Sequence, residues 1–389
     1  MSQLPADFTL LQVTPALDAG GVEQTTVDIA RAVTAAGGRA LVASRGGRME
    51  PLLEEAGGEL VRMRVDSKSP VQMIANGLAL KALIAREGVD LVHVRSRAPA
   101  FAAFWAARQA GVPAVATYAG IYKAGSNLKR RYNGVMTRGD LIIANSAYTA
   151  ERLIAEHGVD PAKVVTIPRG VDLGRFDPSA VSEKRIRELR RSWGLEEGDP
   201  RQVVLCAGRL TRWKGQALLV EAAALLEEGG EEGFILVFTG DDQGRHGYRR
   251  ELEAAVVEAG IQARIAGHCS DMPAAYLAAD VVCAPSIEPE AFGRTAVEPQ
   301  VMGRVVLAAD HGAAPETVVD GETGWLVAPG DVEAWAAALR LALATSPEAR
   351  AAMGAKGRAR AIALYSVATM AEATLEVYGR LLTGHGGAP

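Results

Sequence analysis

Ala278-Ala-Asp-Val-Val-Cys-Ala-Pro285 runs directly into Ser286-Ile-Glu-Pro-Glu-Ala-Phe-Gly-Arg-Thr-Ala-Val-Glu298. The first part is a short apolar run and predicts a buried strand. The second part predicts a helix opening at Gly293 to Arg294. Strand, loop and helix in that order make the unit of a doubly wound α/β fold. A helix start leaves N–H groups unpaired and carries partial positive charge, so an anion is favoured there. Glu290 and Glu298 stand seven intervening positions apart, with Gly293 and Arg294 between them. Carboxylates accept hydrogen bonds from sugar hydroxyls and repel phosphate. Phosphate and polyol recognition side by side point to a nucleotide-sugar site.

The same unit recurs on both sides of this stretch. Strands are predicted at 8–14, 40–44, 60–65, 90–95, 113–118, 140–146 and 164–168, with helices at 20–37, 71–87 and 98–110. Pro168-Arg-Gly-Val-Asp-Leu-Gly-Arg-Phe-Asp-Pro178 breaks the rhythm and reads as a linker. A charged segment, 182–201, follows. Strands then resume at 202–208, 233–240, 263–267, 281–285, 305–309 and 323–327. Two Rossmann-like domains are expected, 1–172 and 173–366. An amphipathic last helix at 367–383 packs on either of them as far as the residues alone decide. In such sheets ligands bind outside the carboxyl ends of the strands, so a cleft where the two sets of ends face is the expected site.

A chain of 389 residues suits two domains. No run approaches the ~20 apolar residues that cross a bilayer. Met1-Ser-Gln-Leu-Pro-Ala-Asp7 lacks the basic and apolar regions of a signal peptide. The three cysteines form no C-x-x-C pair, which argues against a zinc site or a disulfide framework. A cytoplasmic protein is expected, free or at the inner face of the cytoplasmic membrane. The net charge of −4 conceals 21 Lys and Arg against 17 acids in residues 1–180. The basic first half suits an anionic partner, or is ordinary surface charge.

Gly208-Arg-Leu-Thr-Arg-Trp-Lys-Gly215 follows the first strand of the second domain. Arg209 and Lys214 flank a turn ahead of a helix, an arrangement that suits a diphosphate. Preset cations stabilise the charge that grows on a leaving phosphate without a metal. The alternative is two solvated cations in a polar loop. Gly20 and Gly21 allow a tight turn between the first strand and its helix. They do not make G-x-G-x-x-G, and no Walker lysine follows.

With Gly20-Gly-Val-Glu23, Arg209 with Lys214, and Glu290 to Glu298 in order, the chain resembles a family 4 retaining glycosyltransferase of the GT-B fold over residues 8–383. The resemblance implies that Arg209 and Lys214 hold the donor diphosphate and that Glu298 binds the ribose. Glu290, with the backbone of Ala291, Phe292, Gly293 and Arg294, would hold the transferred sugar and its phosphate. Gly20 and Gly21 would approach the diphosphate from the first domain, and the last helix would cross back to that domain. Arg209, Lys214 and Glu290 are thus the expected catalytic residues, with no cofactor and no essential metal. Same-face attack without a covalent nucleophile would retain the anomeric configuration. His268, after a strand of the second domain, could border the base, though a lone histidine is more often structural. Asp241 and Asp242 look like a metal pair but have no partner motif. They read as a loop near the donor.

Thr117-Tyr-Ala-Gly-Ile-Tyr122 resembles the loop where such enzymes often place a histidine beside the reacting sugar; here the position is Ala119. A natural variant, an inactivating substitution and a protein that no longer catalyses are the three explanations. On the acceptor side are expected Arg95, Arg97, Ala119, Tyr122, Lys123, Lys129, Arg130, Arg131 and Tyr132. Arg95-Ser-Arg-Ala-Pro99 and Asn127-Leu-Lys-Arg-Arg-Tyr-Asn133 resemble bacterial enzymes of lipopolysaccharide-core and surface-glycan synthesis. The basic run suits a phosphorylated or carboxylated glycolipid at an anionic membrane, or else is a solvated loop.

The expected function is therefore transfer of a hexose from a nucleotide diphosphate sugar, GDP-mannose or a UDP-sugar, to a glycolipid or oligosaccharide. A synthase acting on a small soluble sugar and a noncatalytic sugar-nucleotide-binding protein are the alternatives. No nucleic-acid partner is expected, since no concentrated basic face with stacking aromatics is evident.

Overall fold

The computed structural model describes residues 4–5, 7–18, 20–67, 69–122, 125–244 and 246–385. The chain divides into two compact units. One is Met1–Gly170 with Val367–Pro389, and the other is Val171–Ser366.

The first unit alternates β1 (Thr9–Val13), α1 (Gly21–Ala35), β2 (Arg39–Ser44), α2 (Glu50–Glu55), β3 (Glu59–Arg62), α3 (Pro70–Glu87) and β4 (Leu91–Val94). It continues with α4 (Arg97–Ala110), β5 (Ala114–Tyr118), α5 (Asn127–Asn133), β6 (Leu141–Ala144), α6 (Ala147–His157) and β7 (Val164–Thr166). The seven strands are parallel in the order β3-β2-β1-β4-β5-β6-β7. The order reverses between β1 and β4, which opens a crevice at their carboxyl ends. β1 and β4 are buried along their whole length, as a sheet covered on both faces requires.

The second unit holds α7 (Glu183–Ser192), β8 (Gln202–Ala207), α8 (Gln216–Glu228), β9 (Phe234–Thr239), α9 (His246–Ala259), β10 (Ala263–Gly267), α10 (Met272–Ala278) and β11 (Val281–Ala284). Then come α11 (Arg294–Val301), β12 (Val306–Ala309), α12 (Ala314–Thr317), β13 (Trp325–Val327), α13 (Val332–Ala344) and α14 (Pro347–Tyr365). Its order is β10-β9-β8-β11-β12-β13, again parallel, with the reversal between β8 and β11. The charged segment after the linker opens with α7. Ser182 caps α7 by accepting from Arg185 N.

α15 (Val367–His385) returns to the first unit. Met370, Ala371, Val377, Tyr378 and Leu381 join Phe8, Leu10 and Val27 in one apolar cluster. Helices that the sequence pattern did not mark, α5 and α6 in the first unit and α9, α13 and α14 in the second among them, complete the layers.

Candidate functional site

In the second unit the turn after β8 and the turn after β11 flank the reversal of strand order. Gly215 caps α8 in the left-handed region, and a Cβ there would lie 2.0 Å from the Pro285 carbonyl oxygen. Only glycine lets the two turns approach so closely. Ile287 N donates to the Trp213 carbonyl at 2.8 Å and fastens them. Gln216 reaches the Arg209 carbonyl at 3.0 Å from the same turn.

This approach brings Lys214 to Glu290. The ammonium donates to Glu290 Oε1 at 2.7 Å, and the two side chains are 11% and 19% exposed. Ser286 Oγ donates to the same oxygen. The Lys214 Nζ also lies 4.7 Å from the centre of the Trp213 ring. His311 Nε2 lies 2.7 Å from the Ser286 carbonyl oxygen. Gly312, at φ 62°, lets its backbone run against that of Glu290, whose carbonyl accepts from Ala313 N at 3.0 Å. Glu290 is thus held by its backbone, by a hydroxyl and by a cation. Arg209 is exposed, and among the described residues its guanidinium has no partner.

Gly293 heads α11 at φ 80°, so the helix opens where the sequence placed it. Arg294 Nε donates to Glu298 Oε1 at 2.9 Å, and Tyr276 OH donates to Oε2 at 3.0 Å. Burial first, and the Glu298 charge second, push the Tyr276 phenol well above its ordinary value, which keeps it a donor. Both Glu298 oxygens retain a lone pair for a hydroxyl. The side chain of Phe292 is 4% exposed and packs edge-on against Tyr365. His268 is exposed at the carboxyl end of the edge strand β10, two strands from β8. Asp242 accepts from the Gly244 N–H and meets His246 Nδ1 at 2.8 Å, so it closes its own loop.

In the first unit, Gly20 takes φ 137° and α1 starts at Gly21. The carboxyl ends of the strands border a small, partly open recess lined by Thr25, Arg95, Thr117, Ala119, Asn145 and Arg169 among others. The expected basic rim needs correction here. Arg95 is 4% exposed; its Nε donates to Gln12 Oε1 at 2.9 Å. It is a buried cation facing the recess. Arg97 stacks 3.8 Å over the Tyr122 ring and donates to Asn133 Oδ1 at 2.5 Å, so it ties α4 to α5. Tyr132 stacks on Phe101. Lys129, Arg130 and Arg131 are exposed on α5, a helix with Ser126 as its cap. Lys123 lies outside the described residues.

His93, 0% exposed, sits behind the recess. Its Nδ1 meets Tyr378 OH at 2.6 Å and its Nε2 meets Thr117 Oγ1 at 2.6 Å. Burial first, and the charge of Arg95 second, hold the imidazole well below its ordinary value. Asn145 Oδ1 is buried and has no partner among the described residues. A buried guanidinium suits an anionic group, and an amide oxygen without a partner suits a hydroxyl that donates to it.

Residues 19–175 match the family described as Glycosyltransferase Family 4, and residues 186–360 match Glycosyl transferases group 1. The chain belongs to the family 4 glycosyltransferases. Its fold is GT-B. A glycosyltransferase from Rickettsia africae superposes with a TM-score of 0.87 at 29% identity, over 97% of this chain and 99% of that one. Anabaena HepE in complex with UDP and glucose gives 0.82 at 25% identity, over 95% and 99%. A D-inositol 3-phosphate glycosyltransferase of Actinosynnema mirum is 37% identical over 259 residues, 63% of this chain and 58% of the relative. The chain thus spans a little over half the length of the curated relatives it matches.

This glycosyltransferase carries site residues that the sequence reading did not single out. Ser286 and His311 support Glu290, and Thr117, Asn145 and Arg169 line the recess. Asn145 directly follows β6, and Ser286 and Arg169 stand two and three residues beyond β11 and β7. The rule that ligands gather at carboxyl ends would have found them. Nothing local marks Tyr378, which meets His93 across 285 positions of chain.

Proposed function

We propose that this glycosyltransferase moves a hexosyl group from a nucleoside diphosphate sugar to an anionic, hydroxylated acceptor, with retention at the anomeric carbon and without a metal. The observation that carries the reading is the Lys214–Glu290–Ser286 cluster beside the Gly293-headed start of α11. Lys214, Arg209 and the first N–H groups of α11 bind the diphosphate. Glu290 and Ser286 accept from hydroxyls of the sugar, and Glu298 from those of the ribose. The bond from the anomeric carbon to the phosphate oxygen breaks as the acceptor oxygen bonds on the same face. The acceptor proton passes to the departing phosphate, whose new charge meets Lys214 and Arg209. The complexes of HepE with UDP and with UDP-glucose support a uridine donor over GDP-mannose.

The recess of the first unit supports the acceptor class. Arg95 and Arg169 suit a phosphate or carboxylate, and Thr25, Thr117 and Asn145 suit hydroxyls. A phosphorylated or carboxylated glycolipid fits this chemistry. So does a small polyol phosphate, the acceptor class for which the D-inositol 3-phosphate glycosyltransferases are named.

A calorimetric panel of UDP, GDP, UDP-glucose and GDP-mannose tests the donor, with NMR of the product for anomeric configuration. Tight uridine binding that Lys214→Ala abolishes supports the reading; binding unaffected by that change refutes it. Ala119→His then tests the recess. A transfer rate at least ~10-fold higher identifies the missing imidazole as the limit on turnover, in line with a general acid–base contribution. An unchanged rate shows that alanine suffices.

A further inference from the structure

The outer surface of α3 and α4 inverts the usual pattern of a surface helix. Val71, Ile74 and Leu78 are 77%, 68% and 57% exposed, at the i, i+3, i+7 spacing of one helix face. Trp105 of α4, 43% exposed, lies against α3 at Gly77, where a Cβ would stand 3.0 Å from the indole. One turn earlier on α4, Phe101 stacks on Tyr132 and receives Arg138 at 5.4 Å. Phe101, Leu128, Lys129, Arg131 and Arg138 border a shallow open groove, and Leu128 is 80% exposed. Five of the eleven large apolar side chains exposed among the described residues therefore sit on three consecutive helices.

The segment that builds this face is basic, although Arg95 within it is buried at the recess. Residues 67–139 hold eleven Lys and Arg against two acids, Glu87 and Asp90, in a chain whose net charge is −4. Both acids are engaged elsewhere. Glu87 pairs with Arg39 and Arg86, and Asp90 accepts from Thr9 N. Lys81 and Arg108 are exposed three positions beyond Leu78 and Trp105, and Lys129, Arg130 and Arg131 are exposed on α5. Aliphatic side chains and an indole among cations match an interface between acyl chains and anionic headgroups. A second copy of this face would bring like charges together, and nucleic acid offers no apolar layer for Val71, Ile74 and Leu78.

We infer that the α3–α4–α5 face docks this glycosyltransferase on an anionic lipid bilayer. Val71, Ile74, Leu78, Trp105 and Leu128 enter the headgroup boundary, and the cations hold the surface. The Arg97–Tyr122 stack then ties the docked face to the loop that carries Ala119 and lines the recess. The inference does not depend on the transfer reading, because lipid binding is measured without donor or acceptor.

The test is flotation of the full chain with vesicles of phosphatidylcholine alone or with a third phosphatidylglycerol. Trp105 fluorescence and sedimentation velocity accompany it. The expected result is binding at least ~10-fold tighter to the anionic vesicles, weakened by salt, with a blue-shifted emission that Trp105→Phe removes. Ile74→Asp with Leu78→Asp, and separately Lys129→Glu with Arg130→Glu and Arg131→Glu, each reduce binding ~10-fold or more. These positions are solvent-exposed, and unchanged hydrogen-exchange protection of β1 and β4 serves as the folding control. Three outcomes overturn the inference: no binding to anionic vesicles at low salt, full binding by the Asp variant, or a dimer that the Asp variant dissociates without any effect on vesicles.

Discussion

Lys214 and Glu290 satisfy each other at 2.7 Å in a setting where water reaches little of either. Removing one leaves the other a poorly solvated charge, so the pair is sensitive to single changes. Lys214→Ala is expected to lower turnover by ~10²–10³, the loss typical when one preset donor to a developing oxyanion is removed. A transfer assay checks the first value. Denaturant unfolding should show a loss of roughly 1–3 kcal/mol from the broken charged hydrogen bond. His93 carries a different consequence. An unfolded histidine takes up a proton as pH falls through its ordinary value of 6.5, whereas buried His93 resists it. The unfolded state then binds more protons, so stability is complete above about 6.5 and declines as pH falls toward the depressed folded value. His157 is shifted the same way, by burial first and by the Arg130 charge against it. Chemical denaturation between pH 7.5 and 5 should show the decline, and His93→Asn should flatten it.

Turns govern the site at the scale of elements. β8 and β11 are neighbours in the sheet with Cys206 opposite Cys283, so the turns that follow them start side by side. Gly215 sets how near they come. Gly215→Ala would force a Cβ to 2.0 Å from Pro285 O in a backbone region that alanine avoids. The turn must shift, at about 1–3 kcal/mol of stability. Lys214 would move with it, so nucleotide affinity should fall although no ligand contact has been removed. Calorimetry on the variant measures this, and wild-type affinity would show that the turn adapts. The strand–turn–helix rhythm was legible because each buried strand is a short apolar run ended by glycine or a polar residue. α5 was not, since Asn127–Asn133 is short, basic and exposed, and its packing rests on Phe101 from another helix.

For the whole molecule, the last helix completes a core begun by the first strand. Tyr378 is fully buried beside His93, and Met370 and Thr374 line the recess with Arg95 and Ala119. Tyr378→Ala should cost about 3–5 kcal/mol, as for other large aromatic truncations in a core. Hydrogen exchange should then rise in β1 and β4 and stay unchanged in β8 and β11. Added nucleotide should protect the strands of Val171–Ser366 by mass action and leave those of the first unit as they were. Equal protection in both units would contradict the assignment of the donor to the second.

Two parallel sheets, the glycine-headed helix starts and the cationic turn follow from sequence alone. Apolar runs, φ-permissive glycines and charge spacing are local properties that any folded context must respect. Arg95 and Arg97 were expected on an open rim, yet one lies buried against Gln12 and the other under stacking with Tyr122. Packing from distant strands decides whether a strand-end arginine meets water. The neutral state of His93 and the outward turn of Val71, Ile74 and Leu78 arise the same way. Each depends on which surfaces the tertiary fold covers, and no segment of chain carries that information by itself.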